Sequence, residues 1–279
     1  MLCYSTASLP DRFTARDIAE ALLPSPFRGV EYVVRPEDLA RADEASYWHG
    51  FRLELETRGL RVRNVQFGHP FLLGPVAHVP GLSALDPVGR RRRLEAALKA
   101  QRIAAHLGSP CLTVTTGLPS QAPGGAGDFA AQEKACFDMI SHLVVARPRG
   151  QRLAIEQEPE HVIHRADQLL ALCRAHDGVV FANYDVGHGF VTGEDPAAAV
   201  RLLGKYVSNL HLEDIKGRVH KHLMLGAGDI DFRALFKTLR AIGYAGDVTM
   251  DLYPFKDEWR WAIRESAGFL ASVTSAWDA

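Results

Sequence analysis

Short apolar segments alternate with longer segments of helical spacing along the whole chain. The sequence contains eight such pairs, and eight pairs in 279 residues give about 35 residues per unit, as in a parallel barrel of ~250 residues. The pattern therefore predicts an α/β fold, a single (β/α)8 TIM barrel over residues 1–279. The eight predicted strands are Leu2 to Thr6, Gly29 to Val34, Leu60 to Gln66, Pro110 to Thr116, Arg152 to Glu158, Val179 to Asp185, Val207 to Glu213 and Asp247 to Tyr253.

Boundary residues support the helices between these strands. Asp86-Pro87 and Asp195-Pro196 each combine a residue that caps a helix N-terminus with a proline at the first helical position. Gly108 is expected to end the helix that begins at Asp86-Pro87. The two longest connections, His69 to Ala84 and Gly117 to Asp128, both follow strands, where the loops of a barrel carry the active site.

The last four predicted strands share an alternation of aliphatic residues with polar or ionisable residues. We expect the aliphatic face to meet the helices and the polar face to point into the barrel. The inward residues are Glu156 and Glu158, then Asn183 and Asp185, then Asn209, His211 and Glu213, and then Thr249, Asp251 and Tyr253.

Four of these inward residues indicate a metal site. Glu156, Asp185, His211 and Asp251 are 29, 26 and 40 residues apart, so each ends a successive strand. Such groups repel one another in a narrow barrel mouth unless a cation neutralises them. Three oxygens and one nitrogen suit one divalent ion, Mn²⁺, Mg²⁺, Co²⁺ or Zn²⁺. The alternative is that these four residues are ordinary polar residues of the barrel interior, paired with Arg or Lys. For Glu31, which is also expected to point inward, we favour an ion pair within the barrel.

The composition of the chain limits the kinds of partner that it is expected to bind. The chain has 32 basic and 33 acidic residues, which gives no electrostatic reason to expect nucleic-acid binding, and we read the run Arg90 to Arg93 as a solvated helix face. No segment has the length and apolarity of a membrane helix, and Met1 to Pro10 does not resemble a signal peptide. The four cysteines lack metal-binding spacing and are expected to be reduced packing residues. We therefore expect a cytoplasmic protein that binds a small molecule. The sequence does not decide whether the chain forms a homo-oligomer.

Ordered motifs then suggest a family. The segments Asn183 to His188, His211 to Asp214, Leu225 to Phe232 and Gly243 to Gly246 resemble the xylose isomerase-like barrel superfamily, and within it the sugar phosphate isomerase/epimerase group. The resemblance implies a metal held by Glu156, Asp185, His211 and the strand-eight acid. It also implies that the strand-five and strand-eight carboxylates exchange protons with the substrate. The group usually has Glu in strand eight, and Asp251 is one methylene shorter.

The predicted chemistry is isomerisation or epimerisation of a carbohydrate-like carbonyl compound. Glu156 and Asp251 are the candidate base and acid, and a bound cation would stabilise the enediolate that forms when a proton alpha to the carbonyl is removed. The candidate substrate-binding residues are His69, Glu158, His188, Arg218 and His222.

Other functions remain open from the sequence. A dehydratase or lyase would use the same metal and enediolate, and a non-catalytic binding barrel is a further alternative. His188, His220 and His222 resemble a further zinc site of the apurinic-site endonucleases, which would make the chain a phosphodiesterase. Those enzymes also use a His in strand four, where this chain has Thr113 to Thr116. We therefore favour one metal ion, with His222 binding substrate.

Overall fold

The computed structural model describes residues 1–119 and 128–274. Eight parallel strands pair in chain order and close into a barrel, as the sequence predicts. The predicted loop from Gly117 to Asp128 lies mostly outside the described residues. The strands are β1 (Leu2–Ser5), β2 (Gly29–Val33), β3 (Arg61–Phe67), β4 (Cys111–Thr115), β5 (Arg152–Glu156), β6 (Val180–Asp185), β7 (Val207–Leu212) and β8 (Asp247–Met250).

Nine α-helices are found in the described ranges, and every strand is followed by at least one. The predicted caps are confirmed, because the Asp86 and Asp195 carboxylates accept from backbone N–H groups of the first helical turn. No helix within 1–119 or 128–274 combines the length and apolarity needed to cross a membrane. The helices are α1 (Ala15–Leu22), α2 (Ala45–Glu56), α3 (Pro87–His106), α4 (Phe129–Ala146), α5 (Ala166–Ala175), α6 (Val186–Val191), α7 (Pro196–Leu203), α8 (Phe232–Ala241) and α9 (Trp259–Thr274).

The hydrophobic core lies between the barrel and its helices. Outward strand residues such as Val65, Leu112, Ile155 and Leu210 are fully buried in one continuous cluster with helix residues. Burying a side chain of this size contributes about 1.5–3 kcal/mol. The alternation of the strands therefore anchors the aliphatic face outward and leaves the other face for the barrel interior.

The barrel interior is polar and hydrogen-bonded. Thr113 Oγ1 donates to Asn64 Oδ1 at 3.0 Å, and Thr249 Oγ1 donates to Asn209 Oδ1 at 2.9 Å. The amides of Asn64 and Asn209 in turn donate to Glu31 Oε2, at 2.7 and 3.4 Å. Buried polar groups are tolerated when they have such partners. The network thus holds a buried carboxylate at the centre of the barrel.

Asp214 organises the long loop that follows β7. Its two carboxylate oxygens accept from four backbone N–H groups of the segment 215–230, at 2.8 to 3.2 Å. A Cβ on Gly228 would lie 2.3 Å from Asp214 Oδ1, so the close approach requires glycine. This folding back carries His220 and His222 to the mouth of the barrel.

Arg93 departs from the sequence prediction. The run Arg90 to Arg93 was expected to be solvated, but Arg93 is only 2% exposed. Its guanidinium lies 4.2 Å from the centre of the Phe67 ring and donates to the Phe67 carbonyl at 3.4 Å. Burial lowers the pKa of Arg93 to about 10. The prediction was wrong at this position because one residue of the run lies on the face of α3 that packs on β3, where ring and carbonyl replace water.

The cysteines agree with the sequence. Cys3, Cys111, Cys136 and Cys173 are all free and buried, as expected for packing residues. Burial raises the pKa of each thiol, so they stay protonated and unreactive at neutral pH.

Candidate functional site

A cavity of about 500 Å³ opens where the barrel strands end at their carboxyl termini. Its inner wall includes Glu156, His211 and Asp251, which come from β5, β7 and the residue just after β8. Loops after β1, β2 and β3 complete its rim. Barrel enzymes carry their active sites at this end. The cavity is therefore the candidate active site.

The four predicted metal ligands converge around one imidazole nitrogen. His211 Nδ1 lies 3.0 Å from Glu156 Oε1, 3.6 Å from Asp185 Oδ2 and 3.9 Å from Asp251 Oδ2. Glu156, Asp185 and His211 are buried, and the Asp251 side chain is 16% exposed. Carboxylate oxygens from β5, β6 and the residue after β8 thus lie within 3.9 Å of one nitrogen of β7, and the candidate ligand atoms of Asp185, His211 and Asp251 all lie within 4.8 Å of one another.

Glu31 fixes the orientation of His211. The Nε2 atom of His211 lies 2.8 Å from Glu31 Oε2, so the interior ion pair predicted for Glu31 forms when His211 is protonated. Metal-binding histidines commonly give their second N–H to a carboxylate in this way, which selects the tautomer and turns the other nitrogen toward the ion. Burial opposes protonation of His211, but the charges of Glu31 and Glu156 raise its pKa well above the usual value.

Two further ligands also have outer hydrogen bonds. The Gln66 amide donates to Glu156 Oε2. Asp185 Oδ1 accepts from the His188 backbone N–H at 2.7 Å, and the Gln157 amide exchanges two hydrogen bonds with the Asp185 backbone. These contacts hold the carboxylates in place before any ligand arrives.

The cluster contains several carboxylates and few groups that can balance their negative charge. Their pKa values and hydrogen bonds show whether a cation fits there. Burial raises the pKa of Glu156 and Asp251, and it raises that of Glu158 and Glu213 well above the usual value. The buried oxygens without a hydrogen-bond partner in the described chain include, at this cluster, Asp185 Oδ2, Asp251 Oδ1 and both carboxylate oxygens of Glu213. Orphaned oxygens beside a nitrogen donor are what a divalent cation satisfies. The residues present therefore fit a metal ion.

Most of the predicted substrate-binding residues line the same cavity. Glu158 Oε2 lies 3.8 Å from His188 Nε2, and His69 stands in the wall after β3. His188 Nδ1 contacts the Gln157 carbonyl at 2.9 Å, and His222 Nδ1 contacts the Asp251 carbonyl at 2.9 Å. Burial lowers the pKa of His188 to about 3, so the ring is neutral at neutral pH.

Two predicted site residues do not line the cavity. Asp185 is fully buried behind it, and its unpartnered Oδ2 faces His211. Arg218 is exposed, with its guanidinium 5.4 Å from the centre of the Phe190 ring. Its backbone has a positive φ of 58°. The structure thus brings Asp185 to the metal cluster and leaves Arg218 outside the cavity.

A second cluster contains His188, His220 and His222. The ring centres of His188 and His220 lie 4.8 Å apart, and those of His188 and His222 lie 5.6 Å apart. One nitrogen from each ring lies within 4.8 Å of the others. These nitrogens are placed for a substrate oxygen or a second ion, and the choice of one ion stays a prediction.

Sequence reasoning did not single out several residues of the cavity. Gln66 lines it beside Glu156. Tyr253, which the alternation of strand eight placed on the inward face, has its ring centre 4.6 Å from that of His222. His78 and Arg35 also line the cavity. The alternation of Asn64 and Gln66 with Val65 and Phe67 indicates that Gln66 points into the barrel. An uncharged amide, however, does not by itself indicate a metal site as an acid does.

Comparisons with known proteins agree with this architecture. The family model of the xylose isomerase-like TIM barrel matches residues 20–273. An uncharacterized protein of Methanocaldococcus jannaschii is 27% identical over 132 residues, which cover 43% of this chain and 44% of that protein. The chain thus matches less than half the length of that curated relative.

Solved structures with the same fold include two sugar epimerases. D-psicose 3-epimerase from Clostridium cellulolyticum H10, solved with D-tagatose, is 15% identical with a TM-score of 0.77 over 98% of both chains. The IolI protein with a bound zinc atom is 16% identical with a TM-score of 0.79, covering 99% of this chain and 98% of that one. The 3-keto-D-glucoside 4-epimerase YcjR from E. coli is 17% identical with a TM-score of 0.72, covering 94% of this chain and 98% of that one.

At these identities the structural likeness establishes the fold, whereas the family model spans most of the chain. The closed eight-stranded barrel and the match over residues 20–273 agree. The chain belongs to the xylose isomerase-like TIM barrel family.

Proposed function

We propose that the chain is a divalent-metal-dependent isomerase or epimerase of a small carbohydrate or a similar keto polyol. The observation that carries this proposal is the convergence of Glu156, Asp185 and Asp251 on His211 Nδ1 inside a polar cavity. The sugar epimerases among the structures of the same fold support the substrate class. The buried free thiols suit a reducing compartment, and we propose the cytoplasm.

The proposed metal ligands are Glu156, Asp185, His211 and Asp251. Mn²⁺, Mg²⁺, Co²⁺ and Zn²⁺ all accept such a donor set, and the zinc atom bound by the IolI protein, which has the same fold, supports a metal ion here. When bound, the cation supplies Lewis acidity toward the substrate carbonyl.

The proton transfers fall to two carboxylates. Glu156 ends β5 and Asp251 follows β8, and two strands separate them, so they reach the cavity from different directions. One carboxylate takes the proton alpha to the carbonyl, and the C–H electron pair moves into the enediolate. Return of a proton to the other face of the same carbon gives epimerisation, whereas its delivery to the neighbouring carbon gives isomerisation.

Polar groups are available for the substrate oxygens. Burial lowers the pKa of His188 to about 3, so its ring offers hydrogen bonds without adding charge, and burial raises the pKa of Glu158 well above its usual value. We propose that His188, Glu158, His222 and His69 hold the substrate hydroxyls. Arg218 could contact only a substrate that extends beyond the cavity.

Deuterium exchange tests this function. The protein is loaded with each of the four metals, and ketoses and 3-keto sugars are incubated with it in D₂O and followed by NMR and mass spectrometry. Deuterium alpha to the carbonyl, lost in His211→Ala and kept in the exposed His142→Ala control, supports the proposal. Loss of water from the substrate assigns a dehydratase instead, and no exchange with any substrate contradicts the proposal.

A further inference from the structure

The two carboxylate oxygens of Glu156 have different neighbours, and one of them is the amide of Gln66. The amide of Gln66, from β3, donates to Glu156 Oε2, and Oε1 lies 3.0 Å from His211 Nδ1. Gln66 is 7% exposed and Glu156 is 2% exposed, so water does not compete for the contact. One carboxylate oxygen thus faces the metal cluster while the other is occupied by an amide.

The orientation of the amide follows from its partner. A carboxylate only accepts hydrogen bonds, so the NH₂ group of Gln66 must face Glu156. Gln66 Oε1 is then buried, and it has no partner in the part of the chain that the structure describes. Leaving a buried acceptor unpaired is unfavourable. The conformation is therefore held by the contact with Glu156 and by packing.

Gly68 lies next to the Gln66 amide and has no side chain that would displace it. A Cβ at position 68 would lie 3.2 Å from both the Cδ and Nε2 atoms of Gln66 and 3.2 Å from Thr115 Cγ2. Side chains rarely tolerate contacts this close, so any larger residue would press on the Gln66 amide. Gly68 leaves the space in which the amide reaches Glu156.

The other ligands show why this contact matters. His211 is oriented by Glu31, and Asp185 Oδ1 is held by the His188 backbone N–H. Asp251 Oδ1 has no hydrogen-bond partner among residues 1–119 and 128–274. Glu156 therefore depends on Gln66 for its orientation, as His211 depends on Glu31.

We propose that Gln66 is a positioning residue that makes Glu156 a one-oxygen ligand. Without the amide, Glu156 Oε2 is free to turn toward the ion, so the carboxylate binds through both oxygens and loses the orientation that proton transfer needs. The kinetic part of this inference rests on the proposed function, whereas the metal-binding part applies whichever reaction the site performs.

Cobalt binding tests the metal part. Gln66→Met keeps the length of the side chain and removes the donor, and Gly68→Ala keeps Gln66 and displaces it. The control is Gln101→Met, which removes a buried glutamine amide of α3 that donates to the Leu143 carbonyl at 2.9 Å. Co²⁺ is titrated into each metal-free protein, and its visible absorption reports the number of ligand atoms.

The inference gives separate expectations for the three variants. Gln66→Met should bind Co²⁺ about 10–100-fold more weakly, with a visible band that indicates an added oxygen ligand. Gly68→Ala should show the same spectral change with a smaller loss of affinity. Gln101→Met should lower thermal stability and leave both the affinity and the spectrum unchanged. Wild-type spectra and affinities in both site variants would overturn the proposal.

Kinetics separates this inference from the proposed function. With an exchanging substrate, Gln66→Met should lower kcat more than tenfold and change KM less than threefold. An equal loss in Gln101→Met would assign the effect to general destabilisation and overturn the positioning role. If no substrate exchanges deuterium but the cobalt spectra change as expected, the proposed function fails and the role of Gln66 in metal binding stands.

Discussion

Replacing Glu31 with Gln removes one negative charge and preserves the shape of the side chain. In the protein, Glu31 Oε2 accepts from His211 Nε2 at 2.8 Å and from Asn64 Nδ2 at 2.7 Å, with Asn209 Nδ2 at 3.4 Å. The amide oxygen of a glutamine placed there accepts the same bonds. The substitution therefore isolates the effect of charge on the imidazole that faces the metal cluster.

The size of the effect follows from the hydrogen bond. A bond to a charged group contributes about 1.5–3 kcal/mol and a neutral one about 1 kcal/mol, so Glu31→Gln loses about 0.5–2 kcal/mol of support for His211. Since about 1.4 kcal/mol is a factor of ten, metal affinity should fall about 2–30-fold. Glu31→Leu removes charge and acceptor together and should exceed this loss.

Calorimetric titration of Mn²⁺ and Zn²⁺ into the metal-free variants measures these affinities. The matched control is Glu20→Gln, an exposed acid of α1 that pairs with Arg16 at 2.8 Å. It should bind metal as the wild type does. A Glu31→Gln variant with unchanged affinity for both metals would refute the idea that Glu31 acts through His211.

Four further predictions concern the site and its support. His211→Ala should bind less than a tenth of the wild-type metal at equal protein concentration with an unchanged circular dichroism spectrum; unchanged metal content by elemental analysis would contradict the ligand assignment. Asp251→Glu should retain more metal than Asp251→Asn because it keeps the charge, and equal retention would show that Asp251 is not a ligand. Asp214→Ala should lower the unfolding free energy by about 2–4 kcal/mol because it leaves several backbone N–H groups unpaired, and urea unfolding that matches the wild type would contradict this. Burial lowers the pKa of His78 to about 4, so its neutral form stabilises the fold above pH 6.5 and this contribution is lost as the pH falls toward 4, at up to about 1.4 kcal/mol per pH unit. His78→Asn, which tolerates the positive φ of 58°, should flatten the fall of stability between pH 6.5 and 4, and an unchanged slope would contradict this.

The fold was predictable because the pattern of the strands is repeated eight times. Eight apolar strand segments alternate with helical segments, and the last four strands carry aliphatic residues on one face and polar residues on the other. A parallel barrel is the arrangement that buries the first set against helices while enclosing the second. Helix starts such as Asp86-Pro87 were also readable, since capping depends on local residues. Arg93 was misread because the side of α3 that faces β3 depends on packing, and charge alone does not reveal it.

The candidate site was only partly readable for a related reason. Acids and His at the ends of successive strands carry a strong signal, and Glu156, Asp185, His211 and Asp251 do meet in space. The side chains that orient His211 and Glu156 come from distant parts of the chain. Glu31 precedes His211 by 180 residues, and Gln66 precedes Glu156 by 90, so only the closed barrel brings them together.

Hydrogen-bond support around the cluster is uneven, and this bears on how the two candidate proton carriers differ. Glu156 has one oxygen beside His211 and the other on the Gln66 amide, whereas Asp251 has an oxygen without a partner in the described chain and is the most accessible of the four ligands. A carboxylate that is both accessible and unrestrained adjusts to a substrate more readily than one held at both oxygens. Asp251, with its shorter side chain, is therefore the ligand that can best adjust its position to the substrate. Glu156 keeps a fixed orientation, against which the substrate is aligned.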